Sequence, residues 1–298
     1  MTVVAVMNYK GGVGKTTLTA NLGADIANRG GTVLLIDLDP QASLTFSFYE
    51  SPEDWDQDRT IYRWYESFIM SGSPKALEDL ILTPPRTNEL LSQGRLDLIS
   101  SDLRLGDVEL DLAHSLGGAR YQTFNPDYLR TYRLLADALT GKAFGDYDVI
   151  LIDCPPSFNM VTRTAVVACE HILVPAKADY LSTLGIQYLR ARLTRLVQEY
   201  NLVAGGNPAV AINPVLLGVV FMMVQHTGSG LLGKLQGYIN GLADIEVPIL
   251  QSSLRESKAV FADHGKGGIP ALLAEGLTEN VEYDLQQITS EFLARIRV

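Results

Sequence analysis

Short apolar runs recur along the chain and are separated by segments with a different periodicity. Five runs are nearly continuous, which is typical of strands buried on both faces: TVVAVMN, TVLLIDLDP, YDVILIDCPP, EHILVPA and PVLLGVVFMM. After the first run, Leu18, Leu22 and Ile26 recur at intervals of four, as expected of a helix, and two glycines end the segment. Strands alternating with helices predict an α/β fold with a doubly wound, mostly parallel twisted sheet.

The segment 50–145 is less regular than the rest of the chain. It carries an acidic patch, several aromatic residues and frequent turn signals. We interpret it as helical and irregular excursions from the sheet, so residues 1–298 are predicted to form a single domain. No helix-turn-helix domain is expected before it, because a glycine-rich loop already begins near residue 10.

The terminal segment 281–297 has the periodicity of an amphipathic helix. Its polar face carries both positive and negative charges. Its apolar residues form one stripe, which consists of Val281, Leu285, Ile288, Phe292 and Ile296. A membrane-binding helix would need a basic polar face, so core packing is the favoured interpretation. The chain contains neither a run of eighteen apolar residues nor a signal-peptide pattern, and we expect a cytoplasmic protein.

The net charge of −10 opposes general attraction to nucleic acid or anionic lipid. The charge is uneven, however, because residues 181–270 hold seven Lys/Arg against five Asp/Glu. Any surface that binds a polyanion is expected in that segment. Cys154 and Cys169 lie in apolar stretches without metal-ligand spacing, so we expect buried packing and neither a disulfide framework nor a zinc site.

The loop NYKGGVGKTT, residues 8–17, follows the first predicted strand. Its three glycines allow a tight backbone turn that points N–H groups at phosphate oxygens, although Tyr9 stands where a strict phosphate-loop pattern has glycine. Lys15 is the expected contact to the β- and γ-phosphates, Thr16 the expected magnesium ligand and Thr17 the expected contact to the α-phosphate. Ligands of such sheets bind at the carboxyl ends of strands, where Asn8, Asp37, Asp39 and Asp153 should lie.

Lys10 is an additional lysine at the start of this loop, and it cannot easily reach phosphates that its own loop encloses. The stretch KGGVGKT, comprising Lys10, Gly11, Gly12, Val13, Gly14, Lys15 and Thr16, resembles the signature of the ParA/MinD family of P-loop ATPases, which have a deviant Walker A motif. Further stretches resemble the ParA (Soj-like) branch: LLIDLDPQAS, YDVILIDCPPS, LDLISSDLRLGDVELDL and PILQSSLRESKAVFADHGKGGIPAL.

This resemblance implies roles for individual residues. Lys10 would contact the nucleotide of a second subunit in an ATP-bridged homodimer, and the nucleotide would otherwise be bound by residues 11–17. Asp37 and Asp153, with Thr16, would hold Mg²⁺, the carboxylates through water. Asp39 would orient the attacking water, so that Lys10, Lys15 and Asp39 would form the catalytic set.

ParA proteins bind DNA without sequence preference as ATP dimers, and a partner protein stimulates hydrolysis and release. The resemblance therefore implies DNA partition or cargo positioning, a ParB-like or cargo-adaptor partner, and association with the nucleoid in the ATP state. The candidate DNA contacts are Arg192, Arg195, Arg255, Lys258 and Lys266. For Arg192 and Arg195 a solvated helix face is favoured, because Glu199 can pair with Arg195.

One departure from the family pattern and the existence of related functions leave the function open. After GVVFMM this chain has VQHTGSG where many relatives carry an Arg-Thr-Asn-like element, which weakens the assignment of an adenine site and of one DNA contact. The main alternative is a MinD-like membrane-positioning ATPase, and a reductase or metal-insertion relative would need cysteines presented at a dimer interface.

Overall fold

The computed structural model describes residues 1–116, 127–225, 246–261 and 267–296, together with residues 237 and 241. Its seven strands pair in parallel in the order β3-β2-β4-β1-β5-β6-β7. The strands are β1 (Thr2–Val6), β2 (Thr32–Asp37), β3 (Arg95–Ile99), β4 (Val149–Asp153), β5 (His171–Lys177), β6 (Val215–Val224) and β7 (Ile249–Arg255). The predicted α/β fold is confirmed, and the sheet is parallel throughout.

Helices cover both faces of this sheet. They are α1 (Lys15–Asn28), α2 (Ile61–Ser71), α3 (Pro85–Leu90), α4 (Leu105–Ser115), α5 (Tyr128–Ala138), α6 (Met160–Ala168), α7 (Tyr180–Val203), α8 (Lys258–Phe261) and α9 (Glu279–Ile296). Alternate strand residues enter different apolar cores, Val3 and Ala5 one and Val4 and Val6 the other. Helices α2, α4, α5, α6 and α7 pack on the first core, and α1 and α9 pack on the second.

The segment 50–145 departs from the prediction, because it contains a strand of the sheet. Strand β3 pairs with β2 from Thr32↔Arg95 to Ile36↔Ile99. The sequence RLDLI was not recognised as a strand, because Asp97 interrupts the run of apolar residues. The buried Asp97 carboxylate accepts hydrogen bonds from Thr83 Oγ1 at 2.6 Å and Tyr147 Oη at 2.6 Å. A strand can accommodate a buried carboxylate when other side chains donate hydrogen bonds to it. The periodicity of the sequence does not show where such donors lie.

Helix α9 packs its apolar stripe into the protein core. All five predicted stripe residues, 281, 285, 288, 292 and 296, are buried. Part of the polar face also serves packing, because Arg295 donates to the carbonyls of Leu217 in β6 at 2.9 Å and Ile249 in β7 at 2.8 Å. The interpretation as core packing is confirmed. Within the residues that the structure describes, no helix has the length and apolarity needed to cross a membrane.

Candidate nucleotide site

The glycine-rich loop lies at the carboxyl edge of the sheet, between β1 and α1. Asn8 anchors its start: the buried side chain donates to the Pro175 carbonyl of β5 at 2.7 Å and accepts from the Lys10 N–H at 3.1 Å. Gly12 and Gly14 have φ of 66° and 89°, in the left-handed region that glycine adopts without steric cost. The loop is therefore shaped by its glycines and tied to the central strands.

A cavity of about 500 Å³ opens over this loop. Its lining includes, from the loop and the start of α1, Gly11, Gly12, Gly14, Lys15, Thr16 and Thr17, and from elsewhere in the chain Asp39, Gln41, Ser43, Phe46 and Met223. Lys15 is the first residue of α1 and is only 7% exposed, so its charge adds to the positive end of the helix dipole. The cavity thus combines backbone donors and a buried lysine, a combination suited to phosphate groups. Val13, which the sequence placed among the nucleotide contacts, is completely buried and is not among the residues that line the cavity.

Two completely buried carboxylates lie beneath the loop. Asp37 ends β2 and Asp153 ends β4, and the two residues are directly opposite in the parallel register. Thr16 Oγ1 donates to Asp153 Oδ2 at 2.7 Å, while Asp37 accepts two hydrogen bonds of 2.8 Å from the N–H and hydroxyl of Thr45. Burial raises the pKa of both carboxyls, and the charge of Asp153 raises the pKa of Asp37 further.

These carboxylates and the Thr16 hydroxyl form an oxygen-rich group below the loop, and of the three residues Thr16 lines the cavity. Burial makes the negative charge of Asp37 and Asp153 costly, and a bound cation would stabilise the ionised forms. Magnesium prefers oxygen ligands and retains several waters. The donor set is therefore of the type that fits Mg²⁺.

Asp39 faces the same cavity from the loop that follows β2. Its side chain accepts a hydrogen bond from the Gln41 N–H at 3.0 Å, and Ser101 Oγ donates to its carbonyl at 2.7 Å. Ala42 and Met223 have φ of 52° and 56°, a left-handed conformation that costs a residue with a Cβ about 1–2 kcal/mol. Such backbone strain is frequent at functional sites, and here it occurs in the Asp39 loop and in the cavity wall.

Lys10 points away from its own loop. Its ammonium donates to both carboxylate oxygens of Asp179, at 2.7 and 2.9 Å, and to Ser182 Oγ at 3.3 Å. Asp179 is also the N-cap of α7, accepting from the Ser182 N–H at 2.7 Å. Partial burial alone would raise the pKa of Asp179, but these hydrogen bonds lower it below its ordinary value. Sequence reasoning missed Asp179, although an aspartate directly before a helical pattern is a recognisable N-cap signal.

A second cavity of about 370 Å³ also escaped the sequence analysis. It shares Gly14, Thr17 and Met223 with the first cavity, and its apolar wall includes Met222, Leu254 and Phe261. On its rim, Gln225 Nε2 donates to Glu256 Oε2 at 2.8 Å and connects the ends of β6 and β7. The two cavities therefore form a polar compartment beside an apolar one. Most of the VQHTGSG loop lies outside the described residues.

The five basic residues considered for DNA contact have different environments. Arg195 pairs with Glu199 at 2.7 Å, as expected for a solvated helix face, and Arg192 donates to Tyr9 Oη at 3.4 Å. Arg255 forms a two-pronged ion pair with Asp284, with Nε and Nη2 contacts of 2.6 and 2.8 Å. Lys258 is exposed on α8 and lines the second cavity. Lys266 lies outside the described residues.

Arg255 has a structural task that its sequence context does not reveal. Because Asp284 is buried, Arg255→Ala would leave a desolvated carboxylate without its guanidinium partner. We expect the variant to lose about 2 kcal/mol of the free energy of unfolding, measured by urea denaturation. Arg195→Ala removes a mostly exposed pair on α7 and should change stability by less than about 1 kcal/mol. Equal losses in both variants would contradict this assignment.

Comparison with known proteins identifies the family. The family model described as an AAA domain matches residues 1–203. The chromosome partitioning protein ParA of Caulobacter vibrioides is 35% identical over 217 residues, which is 72% of this chain and 68% of that protein. This chain belongs to the ParA family of P-loop partition ATPases. The resemblance inferred from its motifs is thereby confirmed.

Two solved structures resemble the fold of this ParA-family chain. An ATP complex of a variant McdA from Cyanothece is 20% identical, has a TM-score of 0.72, and aligns over 100% of this chain and 97% of its own, which shows a shared fold. Cobyrinic acid a,c-diamide synthase from Mycobacterium smegmatis, with an ATP analogue and magnesium, is 26% identical with a TM-score of 0.63, over 91% of each chain. The family model's residues 1–203 include the glycine-rich loop and Asp37, Asp39 and Asp153. Strands β6 and β7, which contribute part of the wall of the second cavity, lie beyond the matched residues.

Proposed function

We propose that this protein is an ATP-dependent molecular switch that forms a homodimer with ATP and Mg²⁺ and binds DNA without sequence preference. Slow ATP hydrolysis, stimulated by a ParB-like or cargo-adaptor protein, resets the switch. The process served is DNA partition or the positioning of a cargo, with the protein in the cytoplasm and at the nucleoid in its ATP state. The observation that carries the proposal is a cavity lined by Lys15 and Thr16, together with the buried Asp153 that accepts a hydrogen bond from Thr16 and pairs in register with Asp37.

The two cavities divide the work of binding ATP. In this proposal, loop N–H groups and Lys15 bind the phosphates, and Thr17 contacts the α-phosphate. Thr16, with Asp37 and Asp153 through water, holds Mg²⁺, which neutralises charge that develops on the phosphates. The adenine occupies the apolar second cavity, whose size and wall suit a planar ring. The cobyrinic acid a,c-diamide synthase structure contains an ATP analogue together with magnesium, which supports ATP and Mg²⁺ as the ligands of this site.

Asp39 supplies the group that orients water for hydrolysis. Its hydrogen bond from the Gln41 N–H fixes one carboxylate oxygen, and the side chain faces the cavity that contains Lys15. Phosphoryl transfer depends mainly on positioning and charge stabilisation, so a carboxylate beside the phosphates is sufficient for this role.

Lys10 makes the switch dependent on a second subunit. Its side chain and that of Asp179 are 32% and 39% exposed, and exposed ion pairs contribute only about 0–1 kcal/mol. Lys10 can therefore exchange Asp179 for a phosphate of a facing subunit at little cost. The ion pair keeps the lysine ordered until that phosphate arrives.

DNA binding in this proposal depends on Lys258 and Lys266, with a smaller part for Arg192 and Arg195. Arg255 is paired with Asp284 and contributes to stability, so it is no longer counted among the candidate DNA contacts. Lysines act on the phosphate backbone, so binding should be independent of sequence and weaken as salt rises. Dimerisation doubles the number of basic contacts that one DNA duplex can receive, and contacts at short range are screened less by salt than the repulsion from distant acidic residues.

Co-sedimentation distinguishes DNA from membrane as the surface for the switch. We expect wild type with a non-hydrolysable ATP analogue, and Asp39→Ala with ATP, to bind random-sequence duplex DNA. Binding should fall at least tenfold between about 50 and 200 mM salt. Lys258→Ala should weaken binding, while Lys75→Ala, which removes a lysine on another part of the surface, serves as the control.

The same experiment with anionic liposomes tests the MinD-like alternative. The apolar stripe of α9 is buried, so we expect no nucleotide-dependent liposome binding. Liposome binding without DNA binding would favour the membrane alternative, and binding to neither surface would refute the DNA part of the proposal.

A further inference from the structure

A ring of hydrogen bonds joins the end of β2 to the loop that follows β3. The Asp39 N–H donates to Asp37 Oδ1 at 3.1 Å, and the Asp39 carbonyl accepts from Ser101 Oγ at 2.7 Å. The Ser101 N–H in turn donates to Thr45 Oγ1 at 3.0 Å, and the Thr45 hydroxyl donates to Asp37 Oδ2 at 2.8 Å. The ring therefore starts at one oxygen of the Asp37 carboxylate and returns to the other.

Three of the four residues in this ring are shielded from solvent. Asp37 and Thr45 are completely buried and Ser101 is 1% exposed. Asp39 is half-buried and lines the cavity over the glycine-rich loop. Hydrogen bonds in a dry, satisfied network hold their geometry well, because water does not compete for the donors and acceptors. The ring thus connects a rigid interior to the aspartate that the proposed phosphates would meet.

Ser101 brings a distant part of the chain to Asp39. It lies 62 positions further along, in the stretch LDLISSDLRLGDVELDL, which contains no predicted site residue. The turn that it holds is strained, since the Ala42 N–H donates to the Asp39 carbonyl at 2.8 Å while Ala42 has a left-handed φ of 52°. A strained turn persists only where surrounding contacts hold it in place. Ser101 provides such a contact at the carbonyl of Asp39 itself.

We propose that Ser101 is a positioning residue for ATP hydrolysis. It fixes the Asp39 backbone, so that the carboxylate stays directed at the attacking water, and through Thr45 it fixes this backbone relative to Asp37 on the magnesium side. The inference rests on the proposed function, in which Asp39 orients that water. Rates are sensitive to small displacements of an orienting group. Ser101 lines neither cavity, so its loss should slow hydrolysis and leave ATP binding intact.

Ser101→Ala tests the proposal, with Ser100→Ala as its matched control. Ser100 is the adjacent residue and is completely buried, and its hydroxyl also donates to a backbone carbonyl, that of Arg59, at 3.1 Å. Each variant removes one hydrogen bond beside the end of β3, but only Ser101→Ala releases Asp39. Single-turnover release of radiolabelled phosphate measures hydrolysis, a fluorescent ATP analogue measures affinity, and thermal unfolding measures stability.

We expect Ser101→Ala to hydrolyse bound ATP about tenfold more slowly than wild type, the effect of one lost hydrogen bond on a reaction barrier. Its ATP affinity should stay within about twofold of wild type, because a group that acts only on the transition state changes the rate and not ground-state binding. Ser100→Ala should hydrolyse ATP as wild type does, with a similar fall in the thermal midpoint. Ser101→Cys is nearly isosteric and keeps a weak S–H donor, so its rate should lie between those of serine and alanine.

A double variant separates positioning from a general loosening of the fold. In an Asp39→Ala background, Ser101→Ala should slow hydrolysis no further, because the carboxylate that Ser101 positions is already absent. If the two substitutions slow hydrolysis independently, Ser101 does not act through Asp39 and the proposal is wrong.

The single variants give further outcomes that would overturn the proposal. Wild-type hydrolysis by both Ser101→Ala and Ser101→Cys, or equal slowing by Ser100→Ala, would leave Ser101 with a purely structural role. A loss of ATP affinity as large as the loss of rate would assign Ser101 to the shape of the nucleotide site instead. Wild-type hydrolysis by Asp39→Ala would remove the role of Asp39 and this inference with it, whereas wild type that binds no ATP would refute the nucleotide proposal itself.

Discussion

Lys15→Ala is expected to weaken ATP binding by about 100-fold. Lys15 is almost completely buried at the start of α1 and faces the cavity that contains the glycine-rich loop. Hydrogen bonds between a buried ammonium and phosphate contribute about 3 kcal/mol, which corresponds to about two factors of ten in the dissociation constant. Alanine is a strong helix former, so α1 should remain intact. Isothermal titration calorimetry with ATP and Mg²⁺ measures the effect.

Lys10→Ala is the matched control for Lys15→Ala, since it removes the same charge from the same loop. Lys10 pairs with Asp179 in the single chain, so its loss should change ATP affinity by less than about fivefold and should abolish the ATP-dependent dimer. Near-normal ATP binding by Lys15→Ala would overturn the assignment of the loop. A normal ATP dimer of Lys10→Ala would remove the role of that lysine between subunits.

Asp39→Ala is expected to lower the rate of ATP hydrolysis by about 100-fold or more and to trap the ATP-bound dimer. A carboxylate that orients or activates the attacking water typically contributes a factor of this size to the rate. Asp37, Asp153 and Lys15 are unchanged, so ATP affinity should stay within a few-fold of wild type. Single-turnover hydrolysis and sedimentation velocity together measure the two effects.

The control for Asp39→Ala removes an exposed carboxylate from a helix away from the cavity. Glu89→Ala, on α3, should hydrolyse ATP as wild type does. Wild-type turnover in Asp39→Ala would refute its role in positioning water. A large loss of ATP affinity would instead indicate that Asp39 helps to bind the nucleotide or its metal ion.

Local sequence determines the framework of the candidate site. Near-continuous apolar runs identify β1, β2, β4, β5 and β6, because strands buried on both faces leave a strong periodic signal. Asp37 and Asp153 end two of these runs, and parallel strands bring their carboxyl ends to one edge of the sheet. Gly12 and Gly14 indicate the left-handed turns that the loop requires.

Tertiary packing alone decided the features that the sequence analysis missed. Strand β3 escaped detection because Asp97 interrupts its apolar run, and besides the neighbouring Arg95 the partners of this carboxylate are Thr83 and Tyr147, which are distant in the chain. Arg255 looked like a candidate DNA contact until the fold placed Asp284 beside it. In both cases a charged side chain takes its role from a partner that only folding brings near.

The sequence by itself determined the family, the α/β class and the residues that surround the proposed phosphates, because these depend on motifs of contiguous residues. The position of Lys10 was decided by the tertiary structure, which pairs it with Asp179, 169 positions along the chain. The second cavity and the exposed apolar side chains on the first half of α7 likewise required the fold, because exposure depends on which surfaces of neighbouring elements meet. Periodicity can identify the apolar side of a helix, but only packing determines which apolar residues remain uncovered.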